Sequence, residues 1–218
     1  MRFFCLPALC LLAFAQTATA QSPRPAARPA APPAVETAAR AAAQWDHLPQ
    51  AALWSRAAVA ALFDHGTPLL RSTPADIAKW CPGYLGADAQ GRAAFWTSLL
   101  SALARYESTF DPAAVGSGKW YGLLQIAPAT ARGYGCRAKT GAGLKDAAAN
   151  LSCAVRIWSV TVPRDGVLAE KGGRLAGIAA DWGPMRFSDK RARMAAYTRA
   201  QPYCSLRRSV RPGVRVAR

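Results

Sequence analysis

The chain has 218 residues, of which 51% are hydrophobic and 18% charged, with 28 Lys and Arg against 12 Asp and Glu, a net charge of +16. This length allows one packed domain with short appendages and excludes two large domains. The hydrophobic content excludes wholesale disorder, and no uncharged apolar run reaches the ~18 residues that a membrane-spanning helix needs. We therefore expect a soluble, basic, globular protein.

The N-terminal residues 1–20 have the pattern of a secretory signal peptide. A positively charged start precedes an apolar stretch over residues 3–14, and Ala18 and Ala20 form a small-residue cleavage site. We expect export with cleavage near Ala20. Residues 21–44 are rich in Pro, Ala and Arg and have almost no large apolar side chain, so we expect a linker without a core.

Helical periodicity runs through residues 45–204, which we expect to form the folded domain, followed by a basic tail over residues 205–218. The apolar spacing is most regular in residues 91–107, where large side chains recur on one face. A small β element is predicted near residues 119–126, so the expected fold class is mainly α. The segments predicted as helices are 51–63, a short one after Thr73-Pro74 that reaches Trp80, 91–107, 146–160, 174–182 and 188–197.

Four cysteines remain once the predicted signal peptide is removed: Cys81, Cys136, Cys153 and Cys204. An even number in an exported chain favours two disulfides, for which three pairings exist. A zinc site is not expected, because there is no C-x-x-C motif and neither histidine lies near a cysteine in sequence. Cys136 and Cys153 bracket a short loop, so we favour their pairing, which leaves Cys81 to bond to Cys204.

Glu107 is the strongest candidate for a catalytic group. It lies at the end of the apolar helix 91–107, shortly before the helix-breaking pair Asp111-Pro112. Partial burial there would raise the pKa of its carboxyl, as a general acid requires near neutral pH. The alternative is a solvated glutamate paired with Arg105 or another arginine, and periodicity alone favours that alternative. Asp111 is expected to stop the helix rather than to act as a base.

A series of short motifs surrounds Glu107. The stretch YESTFDP ends at Pro112, YGLLQI follows at residues 121–126, and PATA follows at residues 128–131. This series resembles the soluble lytic transglycosylase family, which shows a helix ending in Glu-Ser, then Asn/Asp-Pro, Gly-Leu-Met/Leu-Gln-Ile and Pro-Ala-Thr-Ala in the same order. The likeness is continuous over about residues 94–131 and extends more weakly to about residue 186. It implies an α+β, goose-type lysozyme-like fold in a periplasmic protein.

The resemblance also implies an activity. Glu107 would be the single acid/base of a lytic transglycosylase, which cleaves the MurNAc-GlcNAc bond of peptidoglycan and leaves a 1,6-anhydro end, with no cofactor or metal. Without the resemblance, Gln125 would be taken as an amide at the edge of the core that bonds to backbone. The residues implied to lie in or border the glycan cleft are Ser108, Tyr121, Gly122, Leu123, Gln125, Tyr134, Asp181 and Trp182.

A late motif departs from the family. Many members carry Ala-Tyr-Asn-x-Gly-Pro, and residues 179–184 are Ala-Ala-Asp-Trp-Gly-Pro. Ala180 thus replaces the tyrosine that would support the glutamate, and either Trp182 or Tyr134 would take the aromatic role. Asp181 adds a second carboxyl, and ordinary glycosidases use two. The alternatives are therefore a lysozyme-like muramidase that hydrolyses the bond, or a cell-wall-binding module that has lost activity.

Charge indicates a polyanionic partner. Residues 186–218 contain ten Lys and Arg against Asp189 alone, a net charge of +9. The basic C-terminal tail would favour contact with anionic envelope polymers, whereas predicted export and disulfides disfavour nucleic acid, its rival on charge alone. We expect peptidoglycan strands as the partner of a monomer. Most tryptophans are expected in the core, with Trp120 and Trp182 near the cleft.

Overall fold

The computed structural model describes residues 42–205. The predicted signal peptide, the basic tail beyond residue 205 and most of the predicted linker lie outside this range. Every described residue belongs to a single compact unit. None of the helices in the described part combines the length and hydropathy needed to cross a bilayer.

The described chain is mainly helical with two small antiparallel sheets, which confirms the predicted fold class. Strand β1 (Val115–Gly116) pairs with β2 (Trp120–Tyr121), and β3 (Glu170–Lys171) pairs with β4 (Arg174–Leu175). Short 3-10 helices occur at Ile77–Lys79, Pro82–Gly86, Gly183–Arg186 and Pro202–Cys204. The α-helices are α1 (Ala51–Phe63), α2 (Thr67–Arg71), α3 (Ala89–Glu107), α4 (Pro128–Gly133), α5 (Gly141–Leu144), α6 (Ala147–Asp165), α7 (Ile178–Asp181) and α8 (Ser188–Arg199).

Helix α3 runs through the core and ends at Glu107. Asp88 caps its first turn, because its Oδ1 accepts a hydrogen bond from the Gly91 N–H at 2.8 Å. Residues 93–104 are all buried, so the helix is enclosed on every side rather than along a single apolar stripe. The helical conformation stops after Glu107, which places this glutamate where an enclosed helix emerges from the core.

Helix α6 packs against α1 and extends beyond its predicted end at residue 160. Asp146 caps its start, with Oδ1 accepting from the Ala149 N–H at 2.7 Å. Pro163 lies in the last turn, where it has no N–H to donate and its ring crowds the carbonyl one turn earlier. The helix nevertheless continues to Asp165, and Gly166 ends it in a left-handed conformation at φ 73°.

Two of the predicted helices are wrong in part. The segment after Pro74 forms a single 3-10 turn rather than a helix reaching Trp80, whereas α2, just before it, was not predicted. The predicted helix 174–182 begins instead as the hairpin β3–β4, because Gly172 and Gly173 both have positive φ and supply its two-residue turn. Only the short α7 remains of that prediction.

A chain of edge-on and tilted aromatic contacts crosses the core toward the second half of the domain. Tyr84 contacts Trp96, Trp96 contacts Trp158, and Trp158 contacts Trp182, with ring centroids 6.2, 6.2 and 5.7 Å apart. The Trp96 indole N–H donates to the Tyr84 hydroxyl at 2.9 Å, so a buried polar group is satisfied within the chain. The contact with the buried Trp158 ring therefore holds Trp182 in position.

Both predicted disulfides are present with the favoured pairing. Cys136 bonds to Cys153, 17 residues later, and Cys81 bonds to Cys204, 123 residues later. The first ties the chain after α4 to α6, and the second holds the C-terminal end of the domain to the segment before α3. Bridges that close loops of these lengths stabilise a domain by roughly 3 to 5 kcal/mol each.

The packed region begins before residue 45, the predicted domain boundary. Ala43 is 5% exposed, the Gln44 N–H donates to Ser101 Oγ at 2.9 Å, and Ser98 Oγ donates to the Ala42 carbonyl at 2.6 Å. These residues were assigned to the linker because they lack large apolar side chains. A small alanine side chain can nevertheless be buried, because it allows the backbone to pack closely against α3.

Candidate active site

A cleft of about 410 Å³ opens where α3 ends and the 181–186 segment passes by. A wider cavity of about 700 Å³ lies near His65 between α1 and α6, but none of the predicted glycan-binding residues lines it. The smaller cleft is therefore the candidate site. Its lining residues are Glu107, Trp120, Gln125, Asp181, Trp182, Gly183 and Arg186.

Glu107 places a carboxyl group in this cleft. Burial raises the pKa of that carboxyl from its usual 4.5 to about 7, and the positive charge of Lys190 opposes the rise. Among residues 42–205, Glu107 has no ion pair and no hydrogen-bonded side-chain partner. The alternative pairing with Arg105 is not formed, since Arg105 is exposed and lines a separate cavity with His47 and Phe110. The Glu107 carboxyl can therefore both hold and release a proton near neutral pH.

The loop from α3 to α4 forms one wall of the cleft and has an unusual backbone conformation. Positive φ angles, between 47° and 65°, occur at four non-glycine residues: Thr109, Phe110, Ser117 and Gln125. Such residues rarely occupy the left-handed region, and a β-branched threonine does so least. Local strain of this kind persists only where surrounding contacts hold it, and it clusters at functional sites.

Two side chains of this loop face the cleft. Trp120, on β2, keeps 45% of its surface exposed there, although large aromatic side chains are normally buried. Gln125 lines the cleft while its Nε2 donates to the Gly122 carbonyl at 2.9 Å and the Ala114 carbonyl at 3.3 Å. One amide therefore contacts backbone and also borders the cleft.

Asn150, which lies on α6 and is fully buried, holds the loop in place. Its Oδ1 accepts from the Leu124 N–H, and its Nδ2 donates to the carbonyls of Tyr121 and Leu144, all at 2.9 Å. Gly122 passes so close to this amide that a Cβ there would collide with the Asn150 side chain and the Leu144 carbonyl. The sequence gives little signal for this role, because Asn150 is one of several polar residues in helix α6.

Several predicted site residues support the cleft without lining it. Ser108 Oγ donates to the carbonyl of the buried Leu123 at 2.9 Å, which ties the end of α3 to the loop. Tyr121 is half-buried, and its hydroxyl donates to the Gly118 carbonyl at 2.9 Å. Tyr134 follows α4 and is not among the lining residues. Of the two aromatic residues proposed for the missing tyrosine, Trp182 alone reaches the cleft.

The opposite wall comes from the late motif. Trp182 is 6% exposed, and its indole N–H donates to the Leu124 carbonyl at 3.0 Å, which joins the two walls. Burial raises the pKa of the Asp181 carboxyl, the charges of Arg164 and Arg186 oppose the rise, and Asp165 adds to it. Both residues predicted from this motif therefore lie in the cleft with Glu107.

Three groups at the cleft were not predicted from the sequence: Gly183, Arg186 and Lys190. Gly183 and Arg186 line the cleft directly, and the charge of Lys190, on α8, acts on the Glu107 carboxyl. Arg186 follows the Gly-Pro pair of the late motif, and this position is the only sequence signal for it. Lys190 has no sequence signal, because its proximity to Glu107 arises from the packing of α8 against α3.

Comparison with known proteins defines the class of protein to which this chain belongs. The sequence model of the transglycosylase SLT domain matches residues 86–162. Solved structures of DslA, in its wild-type form 2 and as two single Glu-to-Gln mutants, are 31%, 31% and 30% identical, each with a TM-score of 0.69. The alignments cover 75% of this chain and 97% or 98% of DslA. No curated protein matches the chain.

The fold and these matches describe a lysozyme-like helical domain. The chain belongs to the transglycosylase SLT family, as the motifs around Glu107 had indicated. Membership implies peptidoglycan of the cell envelope as the substrate class. The matched range contains Glu107, Trp120, Gln125 and Asn150, whereas the wall formed by residues 181–186 lies beyond it.

Proposed function

We propose that this protein is a peptidoglycan lytic transglycosylase with Glu107 as its single acid/base. One observation carries the proposal: a half-buried glutamate with a pKa of about 7 and no ion pair among the described residues lies in a cleft beside an exposed tryptophan. A general acid works best when its pKa lies near the working pH, since it must both hold and release a proton. Trp120 offers a face on which a sugar ring can stack.

The proposed reaction begins with protonated Glu107. It donates its proton to the glycosidic oxygen between N-acetylmuramic acid and N-acetylglucosamine, and the bond from that oxygen to C1 of the muramoyl residue breaks. The acetamido oxygen of the same residue bonds to C1 and carries the positive charge, so no protein nucleophile is needed. The Glu107 carboxylate then removes the proton of the C6 hydroxyl, whose oxygen bonds to C1 and displaces the acetamido oxygen. The product is a 1,6-anhydro end, and Glu107 is protonated again.

Glu107→Gln tests the acid/base role. We expect the variant to lose about 10²-fold or more of its activity on purified sacculi, because an amide cannot donate and accept the proton. Glu170→Gln is the matched control: Glu170 is exposed on β3, 2.7 Å from Arg191, and does not line the cleft. Wild-type activity retained by the Glu107 variant would reject the role.

The presence of Asp181 in the same cleft favours one second candidate, a muramidase in which this carboxylate activates water. Mass spectrometry of the released muropeptides separates the reactions, because an anhydro end is one water lighter than a reducing end. Anhydro ends that persist in Asp181→Asn support the lyase. Reducing ends alone, lost in that variant, would establish the hydrolase.

The third alternative is a module that binds the wall without cleaving it. Binding to sacculi with no release of soluble muropeptide by wild-type protein would support that alternative and refute both enzymes.

We also propose export to the periplasm, as a monomer with the signal peptide, linker and domain order predicted from the sequence. The two disulfides support an oxidising compartment. N-terminal sequencing of protein recovered from the periplasm is expected to begin at Gln21. Protein that remains reduced and starts at Met1 would reject export.

A further inference from the structure

Arg186 has a guanidinium group at the cleft, and several of its N–H donors have no partner among the described residues. It is exposed, ends the 3-10 helix Gly183–Arg186, and lines the same cleft as Glu107. Its Nη2 donates to the Ala180 carbonyl at 2.8 Å, and within residues 42–205 its side chain donates no other hydrogen bond and joins no ion pair. A guanidinium has five N–H donors in a planar fork that matches a carboxylate.

The charges around this group leave it free to take an anion. Asp181 is the acidic neighbour in the cleft, and it forms no ion pair with Arg186. Lys190 adds a second positive charge, with Nζ 4.8 Å from the Phe187 ring centroid and 5.8 Å from that of Tyr106. The cleft therefore combines the positive charges of Arg186 and Lys190 with the carboxyl groups of Asp181 and Glu107, and burial favours the neutral form of both carboxyls.

We propose that Arg186 binds a carboxylate of the glycan substrate, so that the site selects acid-bearing muramoyl strands over neutral polymers of N-acetylglucosamine. This inference rests on the proposed substrate and deepens it. Each muramoyl residue bears a lactyl acid that is either free or joined to a peptide with carboxylates of its own. A carboxylate from either source would pair with the fork by charge-assisted hydrogen bonds.

Binding measured without turnover tests the proposal. Arg186→Gln is made in the Glu107→Gln background, and affinities are measured for peptide-bearing strands, for peptide-free strands with free lactyl acids, and for both after their carboxylates are converted to amides. Arg186→Lys retains the charge without the fork. Arg193→Gln is the control for net charge, because Arg193 is exposed on α8 and does not line the cleft.

We expect Arg186→Gln to weaken binding of acid-bearing strands by at least about tenfold, with an intermediate loss for Arg186→Lys and none for Arg193→Gln. The amidated strands should bind the parent weakly and show no further loss in the variant. A loss confined to peptide-bearing strands identifies the peptide as the source of the carboxylate, and a loss on peptide-free strands identifies the lactyl group.

An equal loss on native and amidated strands would overturn the proposal, since it would mean that Arg186 acts only through its bond to Ala180. Equal affinity of parent and variant for every strand would overturn it too. Failure of the proposed activity is detected separately, as absence of muropeptide release by wild-type protein. If Arg186→Gln then still lost binding of acid-bearing strands alone, Arg186 would be a carboxylate-binding residue of a non-catalytic protein.

Discussion

The raised pKa of Glu107 has a cost in stability that can be measured. With a pKa near 4.5 when unfolded and about 7 when folded, the carboxyl is neutral in both states below pH 4.5. Between these values the unfolded state releases the proton first, so folding stability falls as pH rises and is lowest above about pH 7. The shift spans about 2.5 pH units, and at about 1.4 kcal/mol per unit the penalty is about 3 kcal/mol.

Glu107→Gln removes the titrating group and keeps the shape of the neutral side chain. We therefore expect the variant to be more stable than wild type by up to about 3 kcal/mol at pH 8, with little difference at pH 4. Urea unfolding at pH 4, 6 and 8 gives the free energies, and Glu170→Gln shows the effect of removing an exposed glutamate that is paired with Arg191 rather than buried in the cleft. A difference between Glu107→Gln and wild type that is the same at pH 4 and pH 8 would refute the reasoning.

Two further predictions concern the groups that set the chemistry and shape of the cleft. Lys190→Met should raise the pKa of Glu107 further, because it removes the charge that opposes the rise, so activity should persist to higher pH. Lys190→Arg keeps the charge and should keep the wild-type dependence of activity on pH. The same pH dependence in all three proteins would contradict the role of charge. Asn150→Leu leaves the buried Leu124 N–H and the Leu144 carbonyl without the amide that they contact, whereas the Tyr121 carbonyl keeps its bond from the Ile126 N–H, and the change should cost at least about 2 kcal/mol in urea unfolding. A loss under about 1 kcal/mol would show that the loop does not depend on this amide.

The proposed catalytic arrangement depends on placing a carboxyl where the core meets solvent. Glu107 is the last residue of α3, whose residues 93–104 are all buried, and the loop with four positive-φ residues forms one wall of the cleft beside it. Burial there disfavours the charged carboxylate, while access to the cleft leaves the proton available for transfer. The stability lost by this burial is offset elsewhere, in part by two disulfides that constrain the unfolded chain.

Local sequence was a good guide where one element decides its own conformation. The helices ending at Phe63 and Glu107 were predicted at those residues, because apolar periodicity and a following break are both local signals. The hairpin at Gly172-Gly173 was missed because the surrounding residues also suit a helix. Its turn depends on two glycines with positive φ, whose conformation a residue pattern does not specify.

The sequence by itself determined the helical class, the disulfide cysteines and the candidate acid, since each depends on residue type, spacing or motif. Tertiary structure decided which residues surround that acid. Trp182 rather than Tyr134 reaches the cleft, and Arg186 and Lys190 bring positive charge to it, because α8 and the 181–186 segment pack against the end of α3. The physical reason is that a pKa and a binding surface arise from burial and from charges distant in sequence, and only the packed chain brings those together.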